Sequence, residues 1–248
     1  MSALIQITGL KKSYKGNDEL VLKGIDMEIH QGEFFGLLGP NAAGKTTLIS
    51  IICGLLKFND GNVFVRNIDV GKQYRKINPF IGLIPQEIAL YPTLTVKENL
   101  AFFGEMHGLS GKILKNRVEE YISVVQLETH ADKRVSNCSG GIKRRTNLVA
   151  GLIHDPEIIF LDEPTLGVDA QSMNLIYEYL QKLNGSGKTI IYTTHYMKEA
   201  ESLCNRITII DDGRIIANGT PEDLIKNNPG CNDLGHVFLK LTGRELRD

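Results

Sequence analysis

Apolar residues fall along this chain in two rhythms, and the rhythm sorts the elements. Short unbroken runs predict strands buried on both faces. Phe34-Phe35-Gly36-Leu37-Leu38 is one such run, and Ile158-Ile159-Phe160-Leu161, between Glu157 and Asp162, is a second. Residues 188–194, carried by Ile190, Ile191 and Tyr192, make a third. Shorter strands are predicted at 4–8, 21–30, 62–66, 80–84, 206–210 and 214–217, with turns at Asn17-Asp18, Gln31-Gly32, Asn59-Asp60-Gly61 and Asp211-Asp212-Gly213. The other rhythm has helical spacing. It predicts helices at 47–52, from Thr95 to Gly108, at 112–126 (Leu114, Val118, Tyr121, Ile122, Val125), at 142–154 and at 170–183. Thr95 with Glu98 three residues on is a capping-box pattern. Two short stretches, from Pro221 and from Val237, follow.

Strands and helices alternate on either side of residues 95–155, and that order predicts an α/β fold. No strand interrupts residues 95–126, so a helical subdomain, about 95–155, is inserted between strands of the main sheet. Composition does little to change this picture. The 248 residues are 42% hydrophobic and 23% charged, with a net charge of −1. Such a balance supplies no global field for nucleic acid or an anionic membrane. No apolar run is long enough to span a bilayer, and the start lacks a secretory pattern. Cys53, Cys138, Cys204 and Cys231 are scattered, as reduced thiols are, with no C-x-x-C pair. Internal repeats are absent, so one nucleotide-binding unit is expected rather than two in tandem.

The chemistry enters where the run 34–38 ends. Gly39-Pro40-Asn41-Ala42-Ala43-Gly44-Lys45-Thr46-Thr47 fits G-x-x-x-x-G-K-[ST] between a predicted strand and a predicted helix. Backbone N–H groups of such a loop converge on an anion, and the positive end of the helix dipole adds to them. Lys45 then takes the β- and γ-phosphates, and Thr46 offers a hydroxyl to Mg²⁺.

Catalytic side chains of parallel sheets collect at carboxyl ends of strands. The run 158–161 ends in Asp162-Glu163, and the run 188–194 ends in His195. Asp162 suits a place beside Mg²⁺, directly or through a water. Glu163 is placed to hold the attacking water. His195 is expected to donate to the γ-phosphate, and Gln86, just past Pro85, to reach both metal and water. A second anion-facing helix start is expected at Ser139-Gly140-Gly141, with Ser139 as its cap. Lys143, Arg144 and Arg145 crowd its first turn, where cations oppose the dipole unless an anion compensates. At least one of the three is expected simply to face solvent. Since one loop already serves this chain's own nucleotide, the second start is expected to meet a nucleotide held by a partner subunit.

Taken in order, residues 39–47, Gln86, Ser139-Gly140-Gly141, Leu161-Asp162-Glu163-Pro164-Thr165, Gly167-Val168-Asp169 and His195 resemble the nucleotide-binding subunits of ATP-binding cassette (ABC) transporters. The resemblance covers nearly the whole chain. It implies a P-loop NTPase core of mixed sheet flanked by helices, with an N-terminal antiparallel β subdomain, the helical insert, and a C-terminal extension at about 221–248, all in one ABC ATP-binding domain. It also implies two subunits, or one with a similar cassette, head to tail around two ATP molecules with Mg²⁺. Tyr14 then stacks on adenine, Asp169 makes the loop contact across the dimer, and Gln86 links to a separate integral-membrane permease. The subunit is expected on the cytoplasmic face of the membrane, with no nucleic-acid partner. Residues 90–100, the triplet Lys143-Arg144-Arg145 after the signature and the tail Val237-Phe238-Leu239-Lys240-Leu241-Thr242-Gly243-Arg244-Glu245-Leu246 are similar to the exporter branch that handles drugs, antibiotics or lipid-like molecules.

Two departures stand out. Ala42 stands where the family usually has Gly; a Cβ is tolerated there at negative φ and not at positive φ. Ile142 stands where many members carry Gln, and Cys138 where Leu or Tyr is common. ATP binding is expected to survive the first, and the second leaves Ser139 and the glycines intact and bears on rate more than on role. Two other readings are a non-transport ABC ATPase and a regulatory subunit that binds ATP with weak hydrolysis. The single cassette and near-neutral charge oppose the first, and intact Lys45, Asp162, Glu163 and His195 oppose the second.

Overall fold

The computed structural model describes residues 3–16 and 19–243, so the turn expected at Asn17-Asp18 and the tail residues Arg244, Glu245 and Leu246 lie outside the described residues. In chain order, β1 (Ile5–Ser13), β2 (Leu20–Ile29) and β3 (Phe34–Leu38) precede α1 (Lys45–Ile52). Then come β4 (Asp60–Val65), β5 (Ile68–Asp69), α2 (Val70–Gln73) and β6 (Ile81–Ile84). A helical stretch follows, with α3 (Val96–Met106), α4 (Gly111–Val124) and α5 (Gly140–Leu152), before β7 (Ile158–Asp162) and α6 (Ala170–Gly185). Next are β8 (Thr189–Thr193), α7 (Met197–Leu203), β9 (Arg206–Asp211), β10 (Arg214–Gly219), α8 (Pro221–Lys226) and α9 (Leu234–Thr242). The short β5 and α2, and α7 after His195, have no counterpart in the hydrophobic rhythm.

Two compact units divide these elements: Met1–Asn78 with Gly187–Asp248, and Pro79–Ser186. In the first, β1 lies between β2 and β4, antiparallel to both, and buries Ile5 and Ile7 on one face. This is the antiparallel N-terminal sheet. β1 runs on to Ser13, past the predicted end at residue 8, because Lys11, Lys12 and Ser13 still pair with β2. The second sheet of this unit is mixed. β3 is flanked by β8 and β9, both parallel to it, and β10 returns antiparallel on β9. All five residues of β3 and of β8 are buried, as their unbroken apolar runs require. Gly36 interrupts one run for a steric reason: a Cβ there would sit 3.0 Å from Cys204 Sγ. At the entry to β3, Glu33 accepts a bidentate pair of bonds from Arg206 of β9, at 2.7 and 3.1 Å.

The second unit pairs β6 with β7, parallel, with Ile81 opposite Ile158 and Ile84 opposite Leu161. Helices α3 to α6 complete it. α3 begins with both bonds of the capping box, Glu98 N to Thr95 Oγ1 and Thr95 N to a Glu98 carboxylate oxygen. α5 packs so close to β6 that a Cβ on Gly82 would lie 2.6 Å from the Gly151 carbonyl. Tyr121 of α4 donates to the Leu152 carbonyl at 2.8 Å and so ties α4 to the end of α5.

Candidate nucleotide site

The phosphate loop lies in the first unit, between β3 and α1. Gly39 is required there because a Cβ would collide with the Ile210 carbonyl. Gly44 turns the chain into α1 at φ 106°, a conformation open in practice to glycine. Ala42 adopts φ 65°. The condition that decides whether its Cβ is tolerated is therefore met in the unfavourable sense, and a non-glycine residue is held in the left-handed region at a cost of about 1 kcal/mol. Lys45 is buried, and its ammonium donates to the carbonyls of Gly39 (2.7 Å) and Pro40 (3.1 Å). The loop thus curls around a cation of its own. α1 has no side-chain cap and no acid in its first turn, which leaves its dipole end suited to an anion. Thr46 is exposed beside Lys45. Pro40, Asn41 and Ala43 complete the loop, and Asn41 is exposed. Tyr14 is 45% exposed; its hydroxyl is 3.0 Å from Thr47 Oγ1, and Lys12 Nζ lies 5.2 Å from its ring centre. The structure therefore brings the predicted adenine-stacking residue to the phosphate loop itself.

His195 follows β8 in the same unit. Its neighbours are anchored by a buried carboxylate that spacing did not single out. Glu199 accepts from Tyr192 Oη (2.8 Å) and Thr194 Oγ1 (2.6 Å), while Tyr196 N donates to Thr194 Oγ1 (3.0 Å). The sequence carries no local signal for Glu199 beyond its place near the start of α7, just after His195. His195 also lines a cavity of about 820 Å³ with Tyr196, Met197 and Phe238, and no phosphate-loop residue borders it.

The acid pair belongs to the second unit. Asp162 and Glu163 are both buried at the carboxyl end of β7. Glu163 has φ 49°, a second strained non-glycine position, and its carboxylate accepts from Gln86 Nε2 at 2.9 Å. Gln86 and Glu163, distant in sequence, are thus directly joined. The segment that carries Gln86 is in turn gripped by α5. Arg144 Nη1 donates to the Pro85 carbonyl (3.2 Å), and Asn147 Oδ1 accepts from Ala89 N (3.0 Å).

α5 itself starts as expected. Ser139 is its N-cap and accepts from Ile142 N at 3.4 Å. Ser139 and Gly140 are exposed, whereas Gly141 is buried with no room for a side chain, its Cβ position lying 2.6 Å from Asp169 Oδ2 and from Ser172 Oγ. Asp169 caps α6 by accepting from Ser172 N (2.9 Å), and that backbone bond, with a second bond from the Ser172 side chain, holds its carboxyl below the usual range. The structure tells the three basic residues apart. Arg144 is only 5% exposed, and Arg145 Nη1 donates to the carbonyls of Val125 (2.8 Å) and Gln126 (3.3 Å) past the end of α4. Both guanidinium groups are thus engaged with carbonyls of their own unit, Arg144 buried and Arg145 part-buried, while Lys143 is part-exposed. Burial pushes the Arg144 guanidinium down, and the charge of Glu163 opposes that shift.

Among the described residues no three His, Cys, Asp or Glu cluster to hold a metal, and no helix is long and apolar enough to cross a membrane. The Thr46 hydroxyl, the Asp162 carboxylate and the Gln86 amide are each oxygen donors of the kind a hard cation such as Mg²⁺ accepts alongside phosphates and water.

Comparison with known proteins agrees with these features. The family described as ABC transporter matches residues 22–166. The chain is 47% identical over 240 residues to the linearmycin resistance ATP-binding protein LnrL of Bacillus subtilis, covering 96% of this chain and 75% of that one. It is 40% identical over 232 residues to the Nod factor export ATP-binding protein I of Cupriavidus pinatubonensis, covering 94% and 71%. Among solved structures, an ATP-binding subunit of an ABC transporter superposes with TM-score 0.86 at 26% identity, covering 96% of this chain and 99% of that one. A cassette solved as a dimer in a post-hydrolysis state with ADP and Pi superposes with TM-score 0.80 at 29% identity, covering 87% and 98%.

Proposed function

This chain belongs to the ABC transporter family as one of its ATP-binding, ATP-hydrolysing subunits, and we propose on that footing how it works. Two copies, or one copy with a similar cassette, pair head to tail around two ATP molecules and drive export through a separate membrane permease. The observation that carries the pairing is the exposed start of α5 at Ser139-Gly140. Gly140 is not required by its own subunit, since a Cβ there would meet only the Gly167 carbonyl, at 3.8 Å. A glycine costs a helix stability, so bareness at this exposed start is useful for close approach of something outside. The cassette solved as a dimer with ADP and Pi supports pairing of two such subunits.

In this reading the loop N–H groups and Lys45 take the β- and γ-phosphates, Tyr14 takes the adenine, and His195 donates to the γ-phosphate. Thr46, Asp162 and Gln86 are the residues that would hold Mg²⁺, which, when bound, neutralises developing charge on the phosphates. Glu163 accepts a hydrogen bond from the attacking water and polarises it, and Gln86 fixes the carboxylate for that task. Ser139, Gly140 and Gly141, with Asp169 nearby, face the nucleotide of the partner. The relative named for Nod factor export supports an export direction, and the one named for linearmycin resistance supports a cargo of the drug or antibiotic class. The permease would hold the subunit at the cytoplasmic face of the membrane.

Glu163→Gln tests the core of the proposal. The variant should keep ATP binding, lose hydrolysis by about 100-fold or more, and accumulate as an ATP-bound dimer in size-exclusion chromatography. Hydrolysis at the wild-type rate would remove Glu163 from the role.

A further inference from the structure

Arg144 stands out among the charged residues of the second unit because it is buried in the middle of the site's scaffold and none of the roles above uses it. It lies in the second turn of α5, the helix whose exposed start is Ser139-Gly140. Its Nη1 donates to the carbonyl of Pro85, the residue before Gln86. Gln86 in turn donates to the Glu163 carboxylate at 2.9 Å. Asn147, three residues further along α5, adds a second grip on the same segment through Ala89 N, at 3.0 Å. Two hydrogen bonds, joined by the Pro85–Gln86 peptide linkage and the Gln86 side chain, therefore connect α5 to Glu163, all inside one compact unit. Leaving a guanidinium buried is costly unless it is paired and bonded, and the opposite charge of Glu163 acts on it.

We propose that Arg144 is a positioning residue for hydrolysis: it sets Gln86 and Glu163 against the helix that begins at Ser139, so that what engages the start of α5 is felt at the carboxylate that polarises water. The inference rests on the reading of Glu163 given above. It also gives a reason for the arginine's position. A cation one turn into a helix opposes the dipole; this one is turned away from the helix start, and its charge serves a carboxylate on a neighbouring strand end.

In a head-to-tail pair the consequence is coupling between the two nucleotides. The start of α5 meets the partner's ATP, while Glu163 acts on its own. Arg144 lies on the path from one to the other.

Three variants of the full chain separate charge from hydrogen bonding. Arg144→Gln keeps a donor toward Pro85 and removes the charge, Arg144→Lys keeps the charge, and Arg144→Met removes both. Steady-state ATPase, equilibrium ATP binding and thermal melting are measured on each, with Glu163→Gln in parallel. Arg144→Met should lower kcat about 10- to 100-fold, with KM and ATP affinity within about threefold of wild type. Any sigmoidal dependence of rate on ATP should flatten in Arg144→Met, and Arg144→Lys should recover about tenfold of the lost kcat. A folded Arg144→Met with kcat within about twofold of wild type overturns the proposal. Equal loss of kcat in Arg144→Lys and Arg144→Met overturns it, as does a loss confined to ATP affinity. If Arg144→Met fails to fold, the comparison of Arg144→Lys with Arg144→Gln decides: the lysine variant must be the faster. Glu163→Gln turning over at the wild-type rate removes the Glu163 reading instead, whatever the Arg144 variants do.

Discussion

At residues 39–47 the chain passes through two left-handed positions, Ala42 and Gly44, and folds Lys45 back onto the carbonyls of Gly39 and Pro40. At residues 139–141 it does the opposite: Ser139 caps α5 in an ordinary extended conformation, no residue of the triplet is left-handed, and Ser139 with Gly140 is exposed. Both are helix starts able to face an anion. The first stores strain and brings its own buried cation, so it can wrap a polyphosphate unaided. The second has little to wrap with, because Arg144 and Arg145 are spent on carbonyls of their own unit. In the proposed reading the difference makes one start a seat and the other a surface to be offered, as a site completed by a second subunit requires.

The sharpest way to break that contrast is Ser139→Arg. A bulky cation at the offered start should abolish hydrolysis, by about 100-fold or more, while ATP affinity of the isolated subunit stays near wild type. A large loss of affinity in the monomer would make Ser139 part of the seat after all. The two glycines beside it make a finer cut. Gly141→Ala must displace Asp169 and Ser172 and should destabilise the fold by about 1–2 kcal/mol in urea denaturation. Gly140→Ala should leave stability unchanged or raise it by about 0.5 kcal/mol, yet lower ATPase activity. Full turnover in that variant would argue that Gly140 serves no partner.

On the side of the seat, Ala42→Gly relieves a left-handed Cβ and should stabilise the protein by about 0.5–1 kcal/mol with ATP binding intact. Equal denaturation midpoints would show that the loop holds no such strain. The smallest expected effect concerns Asp169. Its folded-state carboxyl is held below the ordinary value, so its contribution is present above the unfolded pKa of about 4 and is lost as pH falls through the folded one. Asp169→Ala should therefore melt below wild type at neutral pH, and the gap should close in acid. A gap that stays constant down to pH about 3 would take the carboxylate charge out of the cap.

Much of this arrangement is legible in the sequence alone. The loop 39–47, the acid pair after residues 158–161, His195 and the cap at Ser139 each sit where a local rule puts them. Phosphate loops need glycines at set intervals, strands buried on both faces need unbroken apolar runs, and helix starts need capping side chains. These rules act within a few residues, so composition and order suffice to expose them. What short-range rules cannot reach is partnership across the chain. That Gln86 holds Glu163, that Arg144 is buried against Pro85 while Lys143 is not, and that Glu199 braces the strand end before His195 follow from which elements pack together. The strain at Ala42 is of the same kind. Sequence shows that a methyl group replaces a hydrogen, but the sign of φ is set by how β3, the loop and α1 must join. A side chain's chemistry is local, whereas its burial and its partner are settled only when segments far apart in the chain meet.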